Sequence, residues 1–257
     1  MSHLSPLVRG YCALDPLAVP TSTVPAEIAR GLEKHDYKLV DVVKHLQDAL
    51  TSEHDQTRSR GVGLLSAVVF NMDISVLDRQ TTKVLTTFFT TKLDDTASLV
   101  ACCSALARLT ESNSFGSGEG SEVIKGVFGS ITLKAHAQQT RHAVYVLVDA
   151  LMTRARPALR RLGREFISGY AKFVEGEKDP RNLMISFGIV RVILLEFEIA
   201  DSVEDLFDIT FCYFPITFTP PPDDPYGISS EDLIVSLRFV DEIPLPLNPL
   251  PSPWLWP

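Results

Sequence analysis

Apolar residues recur at helical spacing through most of the chain. Leu39, Val42, Val43, Leu46 and Leu50 stand three and four residues apart, the spacing that gathers side chains onto one face of an α-helix. A polar break over residues 51–55 precedes a second periodic run, 58–70, so the two predict a helical hairpin, with 26–34 as a short helix before it. The pattern then repeats. Residues 77–91 predict a helix that turns Val84, Leu85, Phe88 and Phe89 inward, Leu93, Asp94 and Asp95 interrupt it, and 96–109 form the return helix. Residues 121–133 and 139–152 predict a third pair. A fourth opens near Pro157, a residue suited to a first helical turn, and runs to about Val174. It returns over 181–197, where Leu183, Met184, Phe187, Val190, Ile193 and Leu194 carry the apolar face. Between the second and third pairs, residues 112–121 are rich in glycine and serine and predict a flexible connection.

The breaks at Asp55, Asp95, Gln138 and Asp179 recur about every 40 residues, the period of HEAT and armadillo units. Gln56-Thr57-Arg58 returns as Gln139-Thr140-Arg141, each at the head of a second helix and about two repeats apart. Arg58, Arg60 and Arg141 stand where such repeats often place an arginine, near the start of the second helix. Periodic helix pairs of degenerate sequence suit stacking in which each pair buries its apolar faces against its neighbours. The predicted fold is all-α: a HEAT- or armadillo-like α-solenoid of helical hairpins over residues 26–238. Residues 1–25 hold Pro6, Pro16, Pro20 and Pro25 among serines and threonines, and predict a poorly ordered leader.

One stretch interrupts the helical pattern. Residues 211–233 read FCYFPITFTPPPDDPYGISSEDL, and Pro220, Pro221 and Pro222 fix φ and remove three backbone donors, so 219–224 is neither helix interior nor central strand. Phe211, Tyr213, Phe214, Ile216 and Phe218 carry more apolar bulk than an exposed linker does, which predicts packing against a neighbouring surface. Asp223, Asp224, Pro225, Tyr226 and Gly227 have the composition of a turn. Ser229 or Ser230, with Glu231 and Asp232, then opens a new helix by capping and by the dipole. The whole predicts a packed, proline-rich elbow between helical units.

Composition narrows the functional classes. The 257 residues are 45% hydrophobic and 22% charged, ordinary values for a globular chain with a sizeable core. A formal net charge of -8 argues against broad electrostatic binding of nucleic acid, and no apolar run approaches the roughly 20 residues a bilayer requires. The start of the chain also lacks a secretory signal pattern. Cys12, Cys102, Cys103 and Cys212 have neither metal-ligand spacing nor a disulfide framework, and Cys102 and Cys103 sit in an apolar string that predicts core packing. The six histidines form no metal-binding pair, and no nucleophile-elbow or phosphate-loop motif occurs, so neither an enzyme nor a bound cofactor or metal is expected. Two charged surfaces remain. Arg156, Arg160 and Arg164 fall at i, i+4 and i+8 with Arg161 beside them, predicting a basic helical stripe that is either a docking site for an acidic partner or a solvated face. Glu196, Glu198, Asp201, Glu204, Asp205 and Asp208 make an acidic patch ahead of the elbow.

The elbow FPITFTPPPDDPYGISSEDL, preceded by a helical array containing EHDQTRSRGVGLLSAVV, closely resembles the N-terminal domain of the MMS-nineteen family, called Met-eighteen in yeast. The likeness runs from about Glu27 to Arg238. It marks Phe214, Pro215, Phe218, Pro220, Pro221, Pro222, Asp224, Pro225, Tyr226 and Gly227 as the family's structural signature. The resemblance implies a non-catalytic HEAT-repeat adaptor of cytosolic iron–sulfur cluster delivery, with cluster-targeting subunits, iron–sulfur client proteins and a TFIIH helicase as partners, in nucleus and cytoplasm. It ties such proteins to nucleotide excision repair, transcription and telomere maintenance. A direct regulator of RNA polymerase II and repair acting through TFIIH is the alternative it leaves open. Family members are several times longer, and residues 239–257 depart from them, with six prolines in the last fifteen positions. The expectation is an N-terminal fragment ending in a tail that cannot continue a helical stack.

Overall fold

Helix follows helix through the computed structural model, which describes residues 4–14, 18–199, 202–213, 216, 219 and 226–241. Thirteen α-helices and no β-strand lie among these residues. The chain divides into two compact units, Met1–Leu162 and Gly163–Pro257. The first holds α1 (Leu4–Cys12), α2 (Val24–Glu33), α3 (Leu39–Leu50), α4 (Asp55–Asn71), α5 (Arg79–Thr91), α6 (Leu99–Leu109), α7 (Ser117–Ser130), α8 (Gln138–Arg154) and α9 (Arg156–Leu162). The second holds α10 (Arg164–Val174), α11 (Pro180–Glu196), α12 (Val203–Phe211) and α13 (Ser230–Asp241).

In the first unit the helices form two layers. Helices α2, α4, α6 and α8 pack each on the next, and α5, α7 and α9 make the parallel row, with α3–α4 and α5–α6 as hairpins across the layers. This is the HEAT-like arrangement: one hairpin cannot cover its apolar faces, but neighbours in a stack do. Helix α4 shows the consequence. It packs against α2, α3 and α6, and Val62, Leu64, Leu65, Val68 and Val69 are all buried, so its apolar residues spread around much more than one stripe.

Turn chemistry sets where the helices begin. The Asp78 carboxylate accepts from the Thr81 backbone N–H at 2.7 Å and caps α5. Asp179 caps α11, whose first residue is Pro180. The arginine at the head of α4 reaches further. Arg58 donates from Nε and Nη2 to the two carboxylate oxygens of Asp95, at 2.7 and 3.0 Å, and also to Asp55 and to the Ser52 carbonyl. One guanidinium thus joins the turn before α4 to the turn before α6, in the fork geometry suited to a carboxylate.

Four expectations change. Residues 4–12 form a helix and not a poorly ordered leader: Leu4, Val8 and Tyr11 are buried where α1 packs on α2, α3 and α4, and Arg60 donates to the Cys12 carbonyl. The prolines punctuate that segment without preventing a packed turn of helix. Residues 112–121 are pinned, not flexible. Glu119, buried in the first turn of α7, accepts the Gly116 N–H and pairs with Arg79 at 2.7 Å. Arg79 donates in turn to the Ser114 carbonyl, and Ser114 Oγ to that of Leu77. On α5, Leu85 and Phe89 are buried and Phe88 is partly so, but Val84 is 54% exposed, because only one face of α5 meets its neighbours. Finally, the helix predicted from Pro157 to Val174 is two, α9 and α10, separated at Gly163, whose φ of 53° lies outside the helical region that an L-residue prefers.

The second unit pairs α10 with α12 and α11 with α13. Tyr170 on α10 donates its hydroxyl to Ser186 on α11, and its ring lies near Phe166 and Phe173, while Phe166 stacks on Phe197 at 5.5 Å.

Candidate functional site

The break at Gly163 decides the fate of the basic stripe. Arg156, Arg160 and Arg161 lie on α9, a helix of under two turns, whereas Arg164 begins α10 in the other unit. The four do not share one helical face. Arg160 and Arg161 are exposed, while Arg156 is partly buried and donates from Nε to the Met152 carbonyl, so part of its capacity closes the end of α8.

The elbow is visible at its two ends. Phe214, Pro215, Phe218, Pro220, Pro221, Pro222, Asp224 and Pro225 lie outside the described residues. Tyr213, just before them, donates its hydroxyl to the Glu177 carbonyl at 3.0 Å and sets its ring edge-on to Phe187. Burial and the neighbouring negative charge push the Tyr213 phenol above its ordinary range. Tyr226, just after them, lies under the Arg181 guanidinium, 4.1 Å from the ring centre. Gly227 follows with φ 64°, as the turn requires. Ser229 then caps α13, its Oγ accepting from the Asp232 N–H while the Asp232 carboxylate accepts from the Ser229 N–H.

Both ends therefore close on the same turn, the one before α11, and that turn is unusually polar inside. Glu177, Asp179 and Asn182 are all buried. Glu177 accepts from the Lys178 and Asp179 N–H groups with one carboxylate oxygen and from Asn182 Nδ2 with the other. Asp179 takes the Arg181 guanidinium at 2.6 Å. A buried carboxylate is tolerated only when satisfied in this way. Tyr213 and Tyr226, on either side of the proline-dense stretch, thus contact this turn and the first turn of α11.

Reactive chemistry is sparse among the described residues. Cys102 and Cys103 are buried on α6; burial pushes the Cys102 thiol up to about 12 and raises the Cys103 thiol as well. Such thiols are inert packing groups at neutral pH. No cluster of three His, Cys, Asp or Glu able to hold a metal ion occurs among these residues, and no helix is long and apolar enough to cross a membrane. Besides the polar hollow around Arg58 and Asp95, the surface offers a mixed groove of about 420 Å³ on α4, α6 and α8, lined in part by Phe70, Ala107, Val146 and Asp149. Sequence periodicity missed it, since Phe70 and Val146 read as two more apolar positions on helices full of them. The signal lay in their phase against the buried neighbours, which only packing reveals.

Comparison with known proteins supplies the family. Residues 43–240 match a family model described as "Dos2-interacting transcription regulator of RNA-Pol-II". The chain is 36% identical over 86% of its length to the "MMS19 nucleotide excision repair protein homolog" of Mus musculus and 34% identical to that of Homo sapiens, again over 86%. It is 32% identical over 78% of its length to the "DNA repair/transcription protein mms19" of Schizosaccharomyces pombe. It spans about a fifth of the length of these relatives, 21% of the first two and 20% of the third. With the family model covering most of the chain, this protein belongs to the MMS19 family, and residues 43–240 form that family's N-terminal domain.

Proposed function

We propose that the chain acts by binding alone, as a non-catalytic scaffold or adaptor in the delivery of cytosolic iron–sulfur clusters to apoproteins of DNA replication, repair and telomere maintenance. The family match over residues 43–240 carries this reading, and the relatives' names tie that family to nucleotide excision repair. The residues are compatible with it. Stacked helical hairpins offer extended surface for partners, and Cys102 and Cys103 serve as packing groups. Those partners are cluster-targeting subunits, iron–sulfur clients and a TFIIH helicase, met in cytoplasm and nucleus. Arg160 and Arg161 remain an exposed basic pair for an acidic partner segment.

A second reading, direct regulation of RNA polymerase II and repair through TFIIH, is favoured by the family's description as a transcription regulator. Affinity purification of this chain beside a full-length family member, with iron content measured in client proteins, separates the two. Cluster delivery predicts recovery of assembly factors and clients, and clients poor in iron when the gene is deleted. Direct regulation predicts normal client iron with altered transcription. Robust turnover by the purified protein alone would overturn both.

A further inference from the structure

The groove on α4, α6 and α8 is built as a cradle. Ser104, Ala107 and Arg108 on α6, with Glu111 in the turn just beyond its end, line one side of the channel, and Val146, Asp149, Ala150 and Thr153, set at i, i+3, i+4 and i+7 on α8, line the other. Small side chains floor it, and Phe70, at the end of α4, closes it with 64% of its surface exposed. Val146 is 42% exposed in the same channel. A phenyl ring left this open beside a second exposed branched side chain is costly to hydrate, and covering the two together is favourable.

The charges on the rim are unequal in what they have found. Arg108 and Glu111 pair with each other, and Arg108 also donates to the Met72 carbonyl. Asp149 and Arg154 have no ion pair or hydrogen bond with another described side chain. Both stand exposed on the rim, and partial desolvation of the Asp149 carboxyl raises it above its ordinary range.

We propose that this channel is a docking site for an amphipathic α-helix of a partner protein, one that seats a large apolar residue on Phe70 and Val146 and brings a lysine or arginine to Asp149 and an acidic residue to Arg154. The helix is the occupant that fits, because the cleft between two packed helices receives the ridge of a third. The complementary charges on it follow from the two unpaired charges of the rim. The site is independent of cluster delivery and stands or falls apart from it.

The test is selection of displayed helical peptides of about five turns, with randomised surface positions, against the whole 257-residue chain. Selected peptides are expected to share large apolar residues at i, i+3 or i+4, and i+7 with a flanking lysine or arginine. Their affinity falls about tenfold on Phe70→Ser and several-fold on Asp149→Asn. Arg154→Glu selects peptides in which the acid is replaced by a base. Phe70 is exposed, so its variant keeps the wild-type melting temperature, and Val146→Ser provides a second disruption of the same channel. Peptides that bind Phe70→Ser as well as wild type, or that carry no basic residue, would overturn the proposal. So would a concentration-dependent dimer of the chain abolished by Phe70→Ser, which assigns the channel to a second copy.

Discussion

Arg58 and Asp95 show how one residue pair ties two repeats. Both side chains are largely covered, at 19% and 11% exposure, and the Arg58 hydrogen bond holds the Asp95 carboxyl below the usual carboxylate range. A carboxyl whose folded pKa is depressed contributes stability that is present above its unfolded value, near 3.9, and lost as pH falls through the folded value. Asp95→Asn is therefore expected to lower the melting temperature at neutral pH, with the difference from wild type shrinking as pH drops from about 5 toward about 2. Thermal melts across that range check it, and a difference that stays constant to low pH would show that the carboxylate's charge is not what matters. Arg58 was legible beforehand because it heads a second helix and its Gln-Thr-Arg setting recurs. Its partner was not, since Asp95 is 37 positions away and only stacking brings the two turns together.

Helices differ in how closely they approach, and α4 contains a tight and an open position two residues apart. A Cβ on Gly61 would lie 2.9 Å from the Ala49 Cβ and 3.3 Å from backbone atoms of α3, while a Cβ on Gly63 would meet nothing within 4 Å. Alanine normally favours a helix over glycine by up to about 1 kcal/mol. Gly63→Ala is expected to gain about that much. Gly61→Ala is expected to lose about 1–3 kcal/mol net, because rigid backbone cannot yield to the added methyl. Chemical denaturation of the two variants checks the contrast, and equal effects would mean that the α3–α4 hairpin opens without cost. The hairpin itself was readable from periodicity, as were most helix boundaries to within a few residues. The split between α9 and α10 was not, because a glycine inside a helical pattern is compatible with both a continuous helix and a break until its φ is known.

At the scale of the whole molecule, the division into two units implies two cores. Phe187 is 1% exposed and packs against Tyr213, whose hydroxyl bonds the turn before α11. Phe187→Ala is expected to cost roughly 3–5 kcal/mol. Hydrogen exchange read by mass spectrometry should place the loss of protection in residues 163–241, with Tyr213 and the start of α13 among the first to respond. Loss of protection confined to α11 would separate the Tyr213 contact from this core. The acidic balance, -8 overall, provides no broad positive field, so the proposed binding rests on local features such as the α9 arginines and the mixed channel.

Hydrophobic period and turn residues were sufficient by themselves to determine an all-α chain of repeated helical hairpins. Those are local properties, written in residues a few positions apart. Which faces stay open, which carboxylate meets Arg58, that residues 4–12 pack as α1, and that Arg164 leaves the stripe of Arg156, Arg160 and Arg161 were decided only by tertiary structure. The physical reason is the same in each case. An apolar or charged side chain looks alike in sequence whether a neighbouring helix covers it or not, and coverage depends on segments about forty residues away.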